Sequence, residues 1–133
     1  MSEKIKATAI EQEVRSLAEK NPDFVYNNPD PNRGCLYVYD GKPSCIVGHA
    51  LANLGVEIEF LQHLDTAMDG GLGALEALQT YDDFEVDDKQ AADLVSLAQN
   101  FQDSGVPWGQ AVEQAEGEAA IMAARMAERK VKA

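Results

Sequence analysis

Positive charge, cysteine, histidine and long apolar runs are all scarce in this 133-residue chain, and each scarcity excludes something. The formal net charge is −12. Between Glu57 and Glu118 fifteen carboxylates face a single base, Lys89. Such a span repels phosphate backbones and argues against direct nucleic-acid binding. It reads as a solvated surface, as a face for a basic protein partner, or as a mimic of nucleic-acid charge. Two cysteines are too few for a disulfide framework, so a reducing cytoplasm is the expected compartment. There is no apolar run of about eighteen residues, and the opening MSEKIKATAI has no apolar h-region. Neither a membrane span nor a secretory signal is expected. A Gly-rich phosphate loop, a G-x-S-x-G elbow and an H-E-x-x-H pair are missing too.

What remains is ordinary for a globular chain, with 45% hydrophobic and 26% charged residues. The length suits one domain over 1–133, with 1–7 and 127–133 expected as flexible ends, and no repeat or linker marks a second domain. The organising stretch is Cys35 to Gly55. Leu36 and Val38 alternate with Cys35, Tyr37 and Tyr39, which suits a half-buried strand. Asp40-Gly41-Lys42-Pro43 is turn chemistry. Ser44 is the expected N-cap of a helix carrying Ile46, Val47, Ala50, Leu51 and Leu54 on one stripe. Gly55 supplies its left-handed stop, followed by the apolar Val56.

Around this stretch the periodicity predicts further helices. Thr8 and Glu11 form a capping box ahead of the face Ile10, Val14, Leu17 and Ala18, and Asn21-Pro22 ends that helix. Phe24-Val25-Tyr26 is β-prone and is expected to pair with 35–39 across the Asn/Pro-rich loop 27–34. Ile58, Phe60, Leu61 and Leu64 describe a short helix, and Leu72, Leu75 and Leu78 a weaker turn or two. TYDDFEV at 80–86 reads as loop with two aromatics inward. Asp87 is the expected cap of a helix with the face Ala91, Leu94, Val95, Ala98 and Phe101, stopped at Ser104-Gly105. Pro107 then opens a helix carrying Trp108, Ala111, Val112 and Ala115, which makes a C-terminal αα-hairpin. The expected fold class is α+β, mainly α: a small two-stranded ribbon packed on a helical domain.

Few residues offer chemistry. Cys45 and His49, four apart on a helix, share a face, and a thiol in a first helical turn has a lowered pKa. That pair suits a Cys nucleophile with a histidine base, but no motif supplies an oxyanion hole or a third group. Cys35, Cys45, His49 and His63 are good zinc ligands, but C-x₉-C-x₃-H-x₁₃-H lacks the close Cys pair of specific zinc motifs. The plainer reading makes both cysteines small buried hydrophobes and His49 a residue at the rim of a core helix. A Cys35–Cys45 bridge across the turn is a further alternative. Asp82, Asp83, Glu85, Asp87 and Asp88 lack the calcium-loop pattern. No catalytic residue and no cofactor is therefore expected. Interaction residues are expected at Asp82, Asp83 and Glu85, and at Met122 and Met126 on an Ala/Met stripe of the last helix. That stripe either packs on its own domain, with the tail fraying in solvent, or serves self-association, and the basic end of the helix, Arg125 to Lys132, suits the acidic middle of a second copy, which favours a homodimer.

Two blocks, CLYVYDGKPSCIVGHALANLGV at 35–56 and AQNFQDSGVPWGQAVEQA at 98–115, together resemble a family of small proteins encoded by phages of actinobacteria and by related host genomes. The matching motifs are an aromatic strand, P-x-C-I-V-G, L-G-V and Q-D-x-G-x-x-W, here Pro43, Cys45, Ile46, Val47, Gly48, Leu54, Gly55, Val56, Gln102, Asp103, Gly105 and Trp108. They cover about the middle two-thirds of the chain and are structural motifs, so no catalytic residue comes with them. The resemblance implies a phage-type accessory protein of the host cytoplasm, and the expected mode of action is non-enzymatic, by binding a host or phage protein or by self-association.

Overall fold

The computed structural model describes residues 4–27, 36–66 and 79–132, with side chains as far as residue 129. The loop 28–34, Cys35 and the predicted turns around Leu72, Leu75 and Leu78 lie outside the described residues. Helix α1 (Ala7–Lys20) buries Ile10, Val14 and Ala18 of the predicted stripe together with Ala7, leaves Leu17 only partly buried, and ends at Asn21. Helices α2 (Ile46–Asn53), α3 (Ile58–Thr66), α4 (Lys89–Asp103) and α5 (Trp108–Lys132) follow. The α4–α5 hairpin forms the most extensive packing, and α1 lies against α4, α2 and α5. The fold is mainly helical α+β.

Two connectors are built alike. Leu54-Gly55-Val56 ends α2 and Ser104-Gly105-Val106 ends α4, each glycine at positive φ. The Val56 N–H donates to the Leu51 carbonyl and the Gly55 N–H to that of Ala52; Val106 and Gly105 repeat this with Phe101 and Gln102. Both are Schellman stops, in which the glycine takes a conformation that side chains resist. Beyond the second stop, α5 starts against the chain that leaves α1. The Trp108 and Gly109 N–H groups donate to the carbonyls of Phe24 and Pro22, satisfying donors that no helix satisfies for itself.

The strands differ from expectation. Val38–Tyr39 (β2) pairs antiparallel with Lys42–Pro43 (β3), and Phe24-Val25-Tyr26 joins neither described sheet. Asp40 and Gly41 both have positive φ, at 55° and 74°, the geometry of a two-residue hairpin turn. Tyr26 approaches the ribbon through its hydroxyl, 3.1 Å from the Ser44 hydroxyl. A second sheet joins Ile5–Lys6 (β1) in parallel to Phe84–Glu85 (β4), within a segment expected to be loop.

Three caps also move. Thr8 does not cap α1: Lys6 is the cap residue and offers no side-chain bond. The Asp87 carboxylate instead accepts from both the N–H and the hydroxyl of Thr8, so Asp87 serves α1. Asp88 caps α4, accepting from the N–H groups of Gln90 and Ala91. Cys45 rather than Ser44 caps α2, its sulfur accepting from the Gly48 N–H.

Candidate functional site

The Cys45 thiol is already used. It is fully buried and unbridged, and it donates to Gln99 Oε1 at 3.1 Å while accepting from Gly48. His49 is partly buried with its ring on Trp108, centroids 5.6 Å apart. Burial pushes the His49 imidazole below its ordinary value, and a hydrogen bond with the Ser44 backbone opposes that. His63 is exposed on α3 beside Phe60 and Tyr81, a different set of neighbours from those of His49. Among the described residues no three His, Cys, Asp or Glu side chains gather into a metal-binding group. Cys35 lies outside the described residues. The thiol and imidazole chemistry that the four-residue spacing allows is thus turned to holding α2 in place.

That anchoring depends on two glutamines that the apolar face predicted for α4 does not include. Gln102 accepts from the Ile46 N–H at 2.9 Å and from Trp108 Nε1 at 3.3 Å, and donates to Asp103 at 2.7 Å. Gln99 holds the Cys45 thiol. Both are buried polar side chains. The available signal is their position: with Val95 they fall at i, i+4 and i+7, on the core face of α4. Asp65 is another buried polar residue, accepting from the N–H groups of Tyr37 and Val38.

Unsatisfied surface lies elsewhere, on α5. Trp108, Val112, Ala115, Ala119, Met122, Met126 and Arg129 are spaced alternately four and three residues apart, one continuous seam. The seam is buried as far as Ala119, at 1% exposure, because α4 runs antiparallel beside it. Helix α4 has 15 residues and α5 has 25, so α5 outruns its partner by about 15 Å. Beyond that point Ile121 is 47% exposed, Met122 37% and Met126 44%. Where α4 begins, Lys89, Gln90 and Asp93 meet Met122, Met126, Arg125 and Arg129 around a notch of about 500 Å³. Lys89 is bonded to Asp93, which leaves Arg125 and Arg129 as its free positive edge among the described side chains.

The acidic expectation resolves into two parts. Asp87 and Asp88 are helix caps, whereas Asp82 and Asp83, just before β4, and Glu85, within it, are exposed. Asp82 and Asp83 join Glu57 along a cleft of about 560 Å³ with Ile5, Val56, Phe60 and Phe84. A third open surface gathers Phe24, Val25 and Tyr39 near His49, by the start of α5. No helix among the described residues is long and apolar enough to cross a membrane. No family model, curated protein or solved structure matches the chain.

Proposed function

We propose that this protein is a non-enzymatic accessory protein of phage type, working in the host cytoplasm by self-association through the overhanging part of α5. One observation carries the reading: the seam of α5 continues as Met122 and Met126 past the residue where α4 stops covering it. An apolar seam left over after intramolecular packing is completed by another helix or surface. Methionine suits that role because its unbranched chain adapts to an imperfect partner. Four half-exposed methionines in a pair of copies supply only a few kcal/mol against an association cost of at least that size. Charge must contribute, and the dimer is expected to dissociate at micromolar concentration.

A catalytic reading has less support, since Cys45 and His49 are engaged in packing and capping. Charge mimicry is weakened as well, because two of its five clustered carboxylates cap helices. A host or phage protein as partner has one observation in its favour. The exposed Phe24, Val25 and Tyr39 lie at the end of α5 opposite the overhang, and a dimer built on the overhang leaves them open.

Sedimentation of the full chain tests the proposal beside the double variant Met122→Asp/Met126→Asp. The unmodified chain is expected to dimerise by about 100 μM, and the variant to remain monomeric with unchanged helical circular dichroism. A monomeric unmodified chain at that concentration overturns it.

A further inference from the structure

We infer that the overhang of one copy seats in the acidic cleft of a second copy, with Arg125 and Arg129 facing Glu57, Asp82 and Asp83. The inference rests on self-association as proposed above and names the surface that receives it. The two surfaces are complementary in both chemistry and sign. The overhang presents Met122 and Met126 edged by two arginines. The cleft has apolar walls from Ile5, Val56, Phe60 and Phe84, and three carboxylates against one base, Lys4. Arg125 and Arg129 are basic in a chain whose middle is almost wholly acidic, so the same molecule carries both halves of the contact.

Topology decides between copies. Helix α5 is continuous from Trp108 to Lys132, so its overhang cannot turn back into its own cleft. The cleft and the base of the overhang nevertheless lie at one end of the fold. Asp83 is six residues before Lys89, which walls the notch, a separation of at most about 22 Å. Two copies side by side and antiparallel at that end place each overhang over the other's cleft. The exchange is reciprocal, so it closes as a two-fold dimer and does not propagate. Pairing two overhangs with each other fits worse, because Arg125 and Arg129 of one copy would face those of the other.

The test is a charge exchange in the full-length protein. Asp82 and Asp83 are exposed, and Asp83 meets β1 through its backbone carbonyl, which accepts from the Ile5 N–H, so reversing these side chains leaves the strand bond intact. The variant Asp82→Lys/Asp83→Lys and the variant Arg125→Glu/Arg129→Glu are each expected to dimerise at least about tenfold more weakly than the unmodified chain. An equimolar mixture of the two restores both contacts of one heterodimer, and its affinity should return to within about threefold of the original. If the unmodified chain dimerises through Met122 and Met126 but either charge variant alone associates as tightly, the cleft is not the receptor. Weakening of both variants without rescue in the mixture also overturns the inference. An unmodified chain that stays monomeric removes the underlying reading instead.

Discussion

The Asp87 carboxylate holds Thr8 twice, accepting from its hydroxyl at 2.6 Å and from its N–H at 3.1 Å, across 79 residues of sequence. Beside this contact the Ile5 N–H donates to the Asp83 carbonyl, and β1 lies parallel to β4. The start of α1 is thus capped and clamped by the segment that leads into α4. Helix starts leave N–H groups without partners, and here a residue remote in sequence supplies the acceptor.

Asp87→Ala should therefore lower the melting temperature, and Asp88→Ala should act separately by uncapping α4. The Thr8 hydroxyl bond, followed by the Thr8 backbone bond, holds the Asp87 carboxyl below its ordinary 3.8. A depressed carboxyl gives stability that is present above its unfolded value and is lost as pH falls through the folded one. Thermal melts of wild type and Asp87→Ala should differ at pH 6 and converge as the pH approaches 2. A gap that stays constant over that range would show that the carboxylate is not the source.

Gly48→Ala should destabilise although it removes a glycine from within a helix, a change that ordinarily gains up to about 1 kcal/mol. A Cβ on Gly48 would overlap the Tyr37 carbonyl oxygen, a rigid backbone atom that already accepts from the Ser44 N–H. Helix α2 would have to lift off the ribbon, straining the Cys45 N–H to Leu36 carbonyl bond as well. Overpacking of this kind costs about 1–3 kcal/mol, which urea unfolding would resolve. Gly117→Ala, where nothing lies within 4 Å, is the control expected to stabilise.

These cases show what was legible in the chain and what was not. The faces of α1, α2, α3, α4 and the first half of α5 follow from spacing, and Gly55 and Gly105 mark the stops of α2 and α4, because burial and chain reversal act locally. The β1–β4 pairing is two residues long and bridges distant segments, so no period announces it. Asp40-Gly41 did carry a hairpin signal, but β3 is so short that Pro43 disguised it as a plain turn. Asp87 and Asp88 are chemically equivalent candidates for one cap, and only the tertiary position of Thr8 separates them. In the candidate site, Met122 and Met126 were readable as a stripe. That α4 covers them only in part depends on the length of the antiparallel partner. The acidic cleft needed β1 beside β4, so composition could reveal its charge but not its apolar walls.

Gln102→Leu should cost about 2–4 kcal/mol by urea unfolding, since it leaves the Ile46 N–H and Trp108 Nε1 buried without their acceptor. The loss should come with a shifted tryptophan emission, as Trp108 is the sole tryptophan and donates to this side chain. A variant as stable as wild type would mean that the two donors find another acceptor and that Gln102 is not the link between α2, α4 and α5.

His49 should make the fold sensitive to mild acid. Its imidazole lies partly buried against the edge of the Trp108 system, and burial favours the neutral ring, lowering the value from 6.5 despite the opposing Ser44 bond. A base whose folded value is depressed binds its proton more tightly in the unfolded chain. Stability is then full above about pH 6.5 and declines as pH falls from there towards the lower folded value. His49→Phe keeps an aromatic ring beside Trp108 and removes the titration, so its urea midpoint should change less than that of wild type between pH 7.5 and 5.5. Equal losses in wild type and His49→Phe across this window would assign the acid sensitivity to other groups.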